Sequence, residues 1–167
     1  MAQWHIAQLN VGRTVALPGE SALAGFMARL DEINALAEAS PGFVWRLQND
    51  SGNATDIRVS DDPYFLVNLS VWASVEALFE FVYRTVHTQV MARRREWFEQ
   101  PAEAYQVLWW VPAGHVPTVQ EALERLAHLR LHGPTPKAFT FKSRYPQPDE
   151  GGGPQDMYPE PYCIGWN

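Results

Sequence analysis

Residues 64–72, YFLVNLSVW, constrain the fold more than any other segment, because their alternation is typical of a β-strand with two dissimilar faces. One face is wholly apolar and is expected to pack against helices; it carries Phe65, Val67, Leu69 and Val71. The other face carries Tyr64, Leu66, Asn68, Ser70 and Trp72. Its aromatic side chains would form a large exposed patch if they faced water, so this second face requires a partner.

The order of predicted elements indicates one α+β domain. Strands are predicted at 4–11, 43–48, 64–72, 105–111 and 138–145, and helices at 21–39, 74–98 and from 119. We expect the second helix to break near 85–88, where β-branched residues cluster. The first six elements form the ferredoxin-like βαββαβ unit, with its helices on one face and an extra C-terminal helix and strand. The predicted domain spans 1–146, and 147–167 reads as a Pro/Gly-rich tail.

The aromatic face that the helices leave open predicts a homodimer. Two such sheets packed face to face would make a barrel, and the polar side chains among the aromatic ones would then line its interior. Buried polar groups require hydrogen-bond partners, in the protein, in water or in a ligand. The expected partners are therefore a second copy of the chain and a small molecule.

Composition excludes several classes of function. A formal net charge of −6 argues against non-specific nucleic-acid binding, which depends on clustered Lys and Arg. No apolar run is long enough to span a membrane, and the N-terminal residues do not resemble a signal peptide, so we expect a cytoplasmic protein without membrane contact. The single cysteine excludes an internal disulfide. Neither zinc spacing nor a calcium loop is present, and we predict no metal.

Several segments resemble a bacterial family of unknown function in the dimeric α/β-barrel superfamily, which also contains the antibiotic-biosynthesis monooxygenase domains. The resemblance covers residues 6 to about 145, and it is carried by AQLNVGR, INALAEASPGFVWRLQ, NATDIR, LVNLSVWASVEALFEFVYRTVH, RRREWF, VLWWVPAGHVPTVQEALERL and HGPTPKAFTF. It implies the ferredoxin-like fold and dimerisation through the open sheet face. The wider superfamily includes cofactor-independent oxygenases, haem-degrading enzymes and isomerases.

The resemblance also implies a set of site residues. In oxygenases of that superfamily an Asn, a Trp and a helical His or Arg surround the ligand, and similar types stand here as Asn10 or Asn68, Trp72 and His87. His87 follows Trp72 by about four helical turns, further than in the haem-degrading members. We therefore predict no cofactor and keep haem binding as the alternative.

Three residues are candidates for catalysis. His87 could act as a general base because its ordinary pKa is near neutrality, and Tyr83 is the alternative proton carrier. Arg46 stands between two apolar residues of a strand, where it could stabilise an enolate or carboxylate. Each has a plainer interpretation: His87 could be a satisfied boundary residue, and Arg46 could form a salt bridge across the sheet or the dimer.

Five further residues are candidates for ligand binding: Asn10, Asn68, Trp72, Arg94 and Trp97. An amide and an indole on one strand face could hold a planar compound, although dimer packing would explain Trp72 equally well. Of the three consecutive arginines 93–95, at most two can face a cavity, because successive helical residues point in different directions.

The function predicted from the sequence is that of a monooxygenase-like or isomerase-type enzyme acting on a small aromatic or conjugated carbonyl compound. Two alternatives remain open. The cavity could hold a small molecule or haem without turning it over, or the aromatic face could be a dry dimer interface.

Overall fold

A computed structural model describes residues 2–48, 60–85 and 87–155, and of His87 it describes the backbone. The strands are β1 (Trp4–Arg13), β2 (Phe43–Arg46), β3 (Phe65–Trp72) and β4 (Gln106–Pro112). The helices are α1 (Ala24–Ala39), α2 (Val75–Arg84), α3 (His87–Ala92), α4 (Arg94–Trp97) and α5 (Val119–His132). Most of the predicted loop 49–63, and residues 156–167 of the predicted tail, lie outside the described residues.

The four strands form one antiparallel sheet in the order β2-β3-β1-β4. This order is that of the ferredoxin-like βαββαβ unit, because the two strands that follow helices lie at the edges. The predicted α+β fold is therefore confirmed. β1 is central and pairs Asn10 with Asn68 on one side and with Gln106 on the other.

Both faces of the sheet are covered by helices of the same chain. We call the two faces even and odd, after the residue numbers that β1, β3 and β4 contribute to them. On the odd face, α5 packs Ala122, Leu126 and Leu129 against the apolar side chains of all three strands. On the even face, α1 and α2 pack against Ile6, Trp72 and Leu108. The prediction that helices occupy one face and leave the even face open was wrong.

Trp72 shows how the even face is buried without a second copy of the chain. Its side chain is 1% exposed. The indole stacks on Phe81 of α2 at 5.0 Å between ring centroids and meets the edge of Phe43 at 5.4 Å. The Trp72 indole, which contributed to the predicted interface between two sheets, is thus buried within one chain. The homodimer itself is not tested by this packing and stays a prediction.

The predicted break in the second helical region is confirmed. Ser74 caps α2 by accepting a hydrogen bond from the Ala77 amide at 3.1 Å. At the other end Thr85 takes an extended conformation, and its hydroxyl donates to the Phe81 carbonyl at 2.6 Å. The extended conformation of Thr85 ends α2, and this hydroxyl satisfies a carbonyl of its last turn.

The predicted fifth strand at 138–145 is replaced by isolated bridges, of which one, between Phe139 and Leu108, joins the sheet. Phe139 exchanges both backbone hydrogen bonds with Leu108 at 2.8 and 2.9 Å. The next residues turn back, because the Thr140 amide donates to the Ser143 carbonyl and the Ser143 amide donates to the Thr140 hydroxyl. The segment therefore covers the outer edge of β4 at one residue pair and then leaves the sheet.

Candidate functional site

A cavity of about 130 Å³ lies between the even face of the sheet and the helices α1, α3 and α4. A smaller cavity that shares several lining residues, Asn10, Asn34 and Arg46 among them, continues it towards Trp72. Cavities of about this size can hold a single aromatic ring. The space is partly open to solvent, so a ligand could enter it without unfolding the helical layer.

Polar side chains of neighbouring strands form the floor of the cavity. The Gln8 amide nitrogen donates to Asn68 Oδ1 at 2.9 Å and to Ser70 Oγ at 3.0 Å. Trp72 Nε1 also donates to Ser70 Oγ, at 2.9 Å. This chain of hydrogen bonds satisfies the buried Gln8 and Ser70. It also holds the oxygen of the Asn68 amide, which leaves the amide nitrogen to face the cavity.

Asn10 and Asn34 contribute two further amides. Asn10 pairs with Asn68 across the strands, so the two side chains lie side by side on the floor. Asn34 reaches the cavity from α1. Among the described residues, neither Asn10 nor Asn34 has a side-chain hydrogen-bond partner. Such amides can each donate and accept for a polar ligand.

Aromatic side chains form the wall opposite the amides. Trp97 is 2% exposed, and its ring lies 5.6 Å from that of Phe26. Phe98 meets Phe26 edge to face at 5.3 Å. Phe98 also lies so close to Gly12 that a methyl group on Gly12 would come within 2.6 Å of the ring. The glycine therefore allows the aromatic wall to approach β1.

Arg94 projects into the cavity from α4, and it is poorly satisfied there. Within the described residues its one hydrogen bond runs from Nη2 to the Val11 carbonyl, at 3.3 Å. Its Nε is buried without a partner. The guanidinium lies over the rings of Phe98 and Tyr105, at 4.6 and 4.7 Å from their centroids. Burial lowers the pKa of Arg94, and the nearby Tyr105 opposes this shift.

Arg46 also lines the cavity, but it has partners on the protein. Its Nε forms a 2.8 Å salt bridge with Glu38 near the end of α1, and Nη2 donates to Gln48 Oε1 at 3.2 Å. Of the two interpretations that the sequence left open, a salt bridge is present. Its partner stands eight residues upstream, across the α1-β2 turn, rather than across the sheet or a dimer.

Tyr83 is not brought to the described wall of the cavity. The Tyr83 ring packs 4.7 Å from Phe79 and 5.6 Å from Phe141, in the core between α2 and the C-terminal segment. Its place near the end of α2 directs it there, so the structure gives no support to Tyr83 as a proton carrier in this cavity. The backbone of His87 begins α3, and the prediction that rests on its side chain lies outside the described residues.

The structure brings five predicted site residues to the larger cavity: Asn10, Asn68, Arg46, Arg94 and Trp97. Trp72 lines its smaller continuation. Arg29 and Asn34 also line the larger cavity, and the sequence analysis missed both. The sequence spacing could have indicated both residues. Arg29 and Asn34 lie on one helical face with Phe26, Leu30 and Ile33, at the spacing i, i+3, i+4, i+7, i+8. Polar residues inside such a stripe must face either the core or a cavity.

The described residues contain neither a group of metal-binding side chains nor a helix that could span a membrane. In the described part of the chain, no three His, Cys, Asp or Glu side chains are grouped so that they could hold a metal ion. Nor is any helix within those residues long and apolar enough to cross a membrane.

Solved structures with a similar fold have low sequence identity to the chain. A protein of unknown function from Nitrosomonas europaea, NE2512, is 18% identical with a TM-score of 0.42, over 71% of this chain and 99% of its own. Rv0793 from Mycobacterium tuberculosis is 17% identical with a TM-score of 0.44, over 69% and 98%. SnoaB, a cofactor-independent oxygenase from Streptomyces nogalater, is 16% identical with a TM-score of 0.41, over 69% and 96%.

A comparison of the sequence with family models assigns the chain to a family. No curated protein matches the chain. A family model described as a domain of unknown function, DUF3291, matches residues 5–152, which include the described strands and helices, except for the first residue of β1, and all the described residues that line the cavity. The chain belongs to the DUF3291 family.

Proposed function

We propose that the chain binds a small aromatic or conjugated carbonyl compound in the cavity and acts on it as a monooxygenase-like enzyme. The observation that carries this proposal is the pairing of unsatisfied amides with aromatic walls around a space the size of one ring. Asn10 and Asn34 lack partners within the described residues, and Trp97 and Phe98 stand close by.

The proposed ligand fits both parts of this surface. A planar ring would pack against the aromatic wall, where stacked and edge-to-face contacts are favourable. Its carbonyl oxygen would accept hydrogen bonds from Asn10 or Asn68 on the floor. Because the Asn68 oxygen already accepts from Gln8, its nitrogen is the group that remains to donate. Donors fixed in this way stabilise an oxygen that gains negative charge during reaction.

Amides that stabilise an enolate would favour oxidation without a cofactor. A conjugated enolate can itself give electrons to O2. In such a reaction a CH2 group and O2 become C=O and water, so that the substrate supplies all the electrons. A base must still remove the first proton, and we propose His87 for this role. Asn10, Asn68, Arg46, Arg94, Trp72 and Trp97 would bind and orient the substrate.

A second function, retention of the ligand without turnover, is favoured by one observation. None of the described side chains that line the larger cavity is a carboxylate, histidine, tyrosine or cysteine. A pocket with donors and aromatic walls but without a proton carrier is suited to binding alone. The role of His87 therefore separates an enzyme from a binding protein.

Oxygen consumption and product analysis test the proposal. Purified protein is incubated in air with a panel of single-ring enolisable ketones, and the products are examined by mass spectrometry for gain of oxygen and loss of two hydrogens. We expect Asn10→Leu to weaken binding, and His87→Gln to abolish turnover while binding remains. Gln120→Leu, on the outer helix α5, is the control. Binding without turnover in the wild type would favour the retention function, and absence of both would refute the proposal.

The homodimer and the cytoplasmic location are kept as predictions from the sequence. Light scattering of the purified chain measures the first directly. A monomer at micromolar concentration would remove the homodimer without affecting the proposed cavity, because the described lining residues come from one chain.

A further inference from the structure

We infer that the ligand of this cavity is an organic anion and that Arg94 is its counter-ion. This inference rests on the proposed function and narrows its substrate class to an aromatic ring that carries a carboxylate or an enolate. Arg94 thereby takes the role of meeting the negative charge, which was one of the two interpretations that the sequence left open for Arg46.

Arg94 has fewer hydrogen-bond partners than a buried guanidinium usually has. Removing an arginine from water is costly unless the charge is paired and its donors are satisfied. Arg94 has five N–H donors. One of them makes a long hydrogen bond to Val11, and the buried Nε makes none. No carboxylate within the described residues forms a salt bridge with it.

The ring contacts of Arg94 compensate for only part of this cost. Cation-π interactions with Phe98 and Tyr105 place the guanidinium over two aromatic faces. Apart from the long hydrogen bond to the Val11 carbonyl, they leave the N–H groups at the edges of the guanidinium without acceptors among the described residues. A carboxylate in the cavity would meet such an edge with two parallel hydrogen bonds, the arrangement for which arginine is best suited.

The neighbouring arginine provides a comparison within the same segment. Arg93 is more exposed, yet it holds Glu96 with two hydrogen bonds at 2.8 and 2.9 Å. An acidic partner is thus within reach of this part of the chain, but it is bound to the solvated residue. The buried arginine that faces the cavity has no such partner, which is the opposite of what stability alone would favour.

The remaining charges around the cavity have the same sign. Arg29 lines the wall, and within the described residues it has no salt bridge. Arg46 is paired with Glu38, whose own side chain is not part of the lining. No acidic residue lines the described cavity, so its charged lining consists of guanidinium groups. Such a cavity favours an anion over a neutral compound of the same shape.

A pair of ligands with the same shape and different charge tests the inference. Benzoate and benzamide are titrated into the protein at neutral pH, and binding is followed by the fluorescence of tryptophan and by NMR of the indole N–H groups. We expect benzoate to bind more tightly by about tenfold or more, because a charge-assisted pair of hydrogen bonds is worth at least that factor. Arg94→Met should remove the preference, while Arg95→Met, on an exposed residue of the same helix, should leave it.

The outcomes separate this inference from the proposed function. If benzamide binds as tightly as benzoate, the anion inference is wrong and the proposed aromatic site stands. If neither compound binds, both are refuted. If Arg94→Met fails to fold, Arg94→Lys and the salt dependence of wild-type binding decide: benzoate affinity should fall with added salt and benzamide affinity should not. A preference for benzoate that survives Arg94→Lys and Arg94→Met unchanged would assign the charge to another residue and overturn the role of Arg94.

Discussion

Replacing Gly12 by alanine would disturb the contact between β1 and the aromatic wall of the cavity. A Cβ at this position would lie 2.6 Å from Phe98 Cδ1, 2.9 Å from Cε1 and 3.0 Å from Arg94 Nη2. Restoring ordinary contact at 3.4 Å requires the ring to move by about 0.8 Å. The backbone of Phe98 cannot follow easily, because it is bridged to Thr14 and its neighbour Glu99 donates to the Arg13 carbonyl at 2.8 Å.

The expected change in stability follows from two opposing effects. Overpacking of this kind costs about 1–3 kcal/mol, because the ring must leave its preferred rotamer or its contact with Phe26. Alanine in place of glycine restores about 0.5–1 kcal/mol by reducing the conformational freedom of the unfolded chain. Gly12→Ala should therefore lower the free energy of unfolding by about 0.5–2 kcal/mol, since the first effect is the larger.

Gly25→Ala is the matched control, because the same atoms are added where there is room. Its Cβ would lie 3.6 Å from the Trp97 ring, which is ordinary contact. In α1 the substitution should raise the free energy of unfolding by about 0.5–1 kcal/mol. Urea unfolding followed by tryptophan fluorescence gives both changes as shifts of the midpoint, in opposite directions. A Gly12→Ala protein as stable as Gly25→Ala would refute the close approach of Phe98.

Three further predictions concern the layers around the sheet. Trp72→Phe should cost about 1–3 kcal/mol in a thermal melt, since it removes the hydrogen bond to Ser70 and leaves a small cavity beside Phe81; no loss would mean that the indole is not buried as described. Ser74→Ala should cost about 1 kcal/mol by removing the cap of α2, and Ser21→Ala, at an exposed serine without a side-chain hydrogen bond among the described residues, is its comparison. Burial raises the pKa of Glu121, but hydrogen bonds from His115 and Trp109 outweigh it, and the net shift is downward. The stability that this carboxylate contributes should therefore be complete above its ordinary pKa of 4.5 and should disappear as the pH falls through its lower value in the folded chain. The difference between wild type and Glu121→Gln in urea should shrink over that range, and a constant difference from neutral pH to pH 3 would contradict it.

The order of elements could be predicted from the sequence because each depends on local signals. Ser74 and Thr118 are residue types that favour the N-cap, and they cap α2 and α5, with the Glu121 amide donating to Thr118 Oγ1 at 3.1 Å. The alternation of β3 also placed Asn68, Ser70 and Trp72 on one face. The choice between faces could not be predicted, since Val67, Leu69 and Val71 on one side are no more apolar than the aromatic residues on the other. Periodicity shows that two faces differ, not which helix covers each.

The salt-bridge partners of individual arginines could not be predicted from the sequence either, because they depend on tertiary contacts. The pairing of Arg46 with Glu38 requires β2 to turn back along α1, and nothing in the spacing of these residues ranks it above a ligand. Likewise, the three arginines 93–95 look alike in the sequence. Their different roles follow from the break before α4, which directs Arg94 towards β1 and leaves Arg93 beside Glu96.

The cavity follows from placing amides on a sheet face that a helical layer must cover. Near Trp72 the even face is apolar, and α2 packs on it directly through Leu78 and Phe81. Near Asn10 and Asn68 a close-packed apolar helix would bury the amides without partners, at a cost of about 1–3 kcal/mol for each unsatisfied group. The chain instead breaks its helix at Thr85 and again before Arg94, so that α3 and α4 stand over these amides with space between. Filling that space by Asn10→Leu together with Asn34→Leu, the two lining amides without partners among the described residues, should therefore stabilise the fold while it removes the binding site, and a double variant that loses stability would show that the amides serve the fold instead.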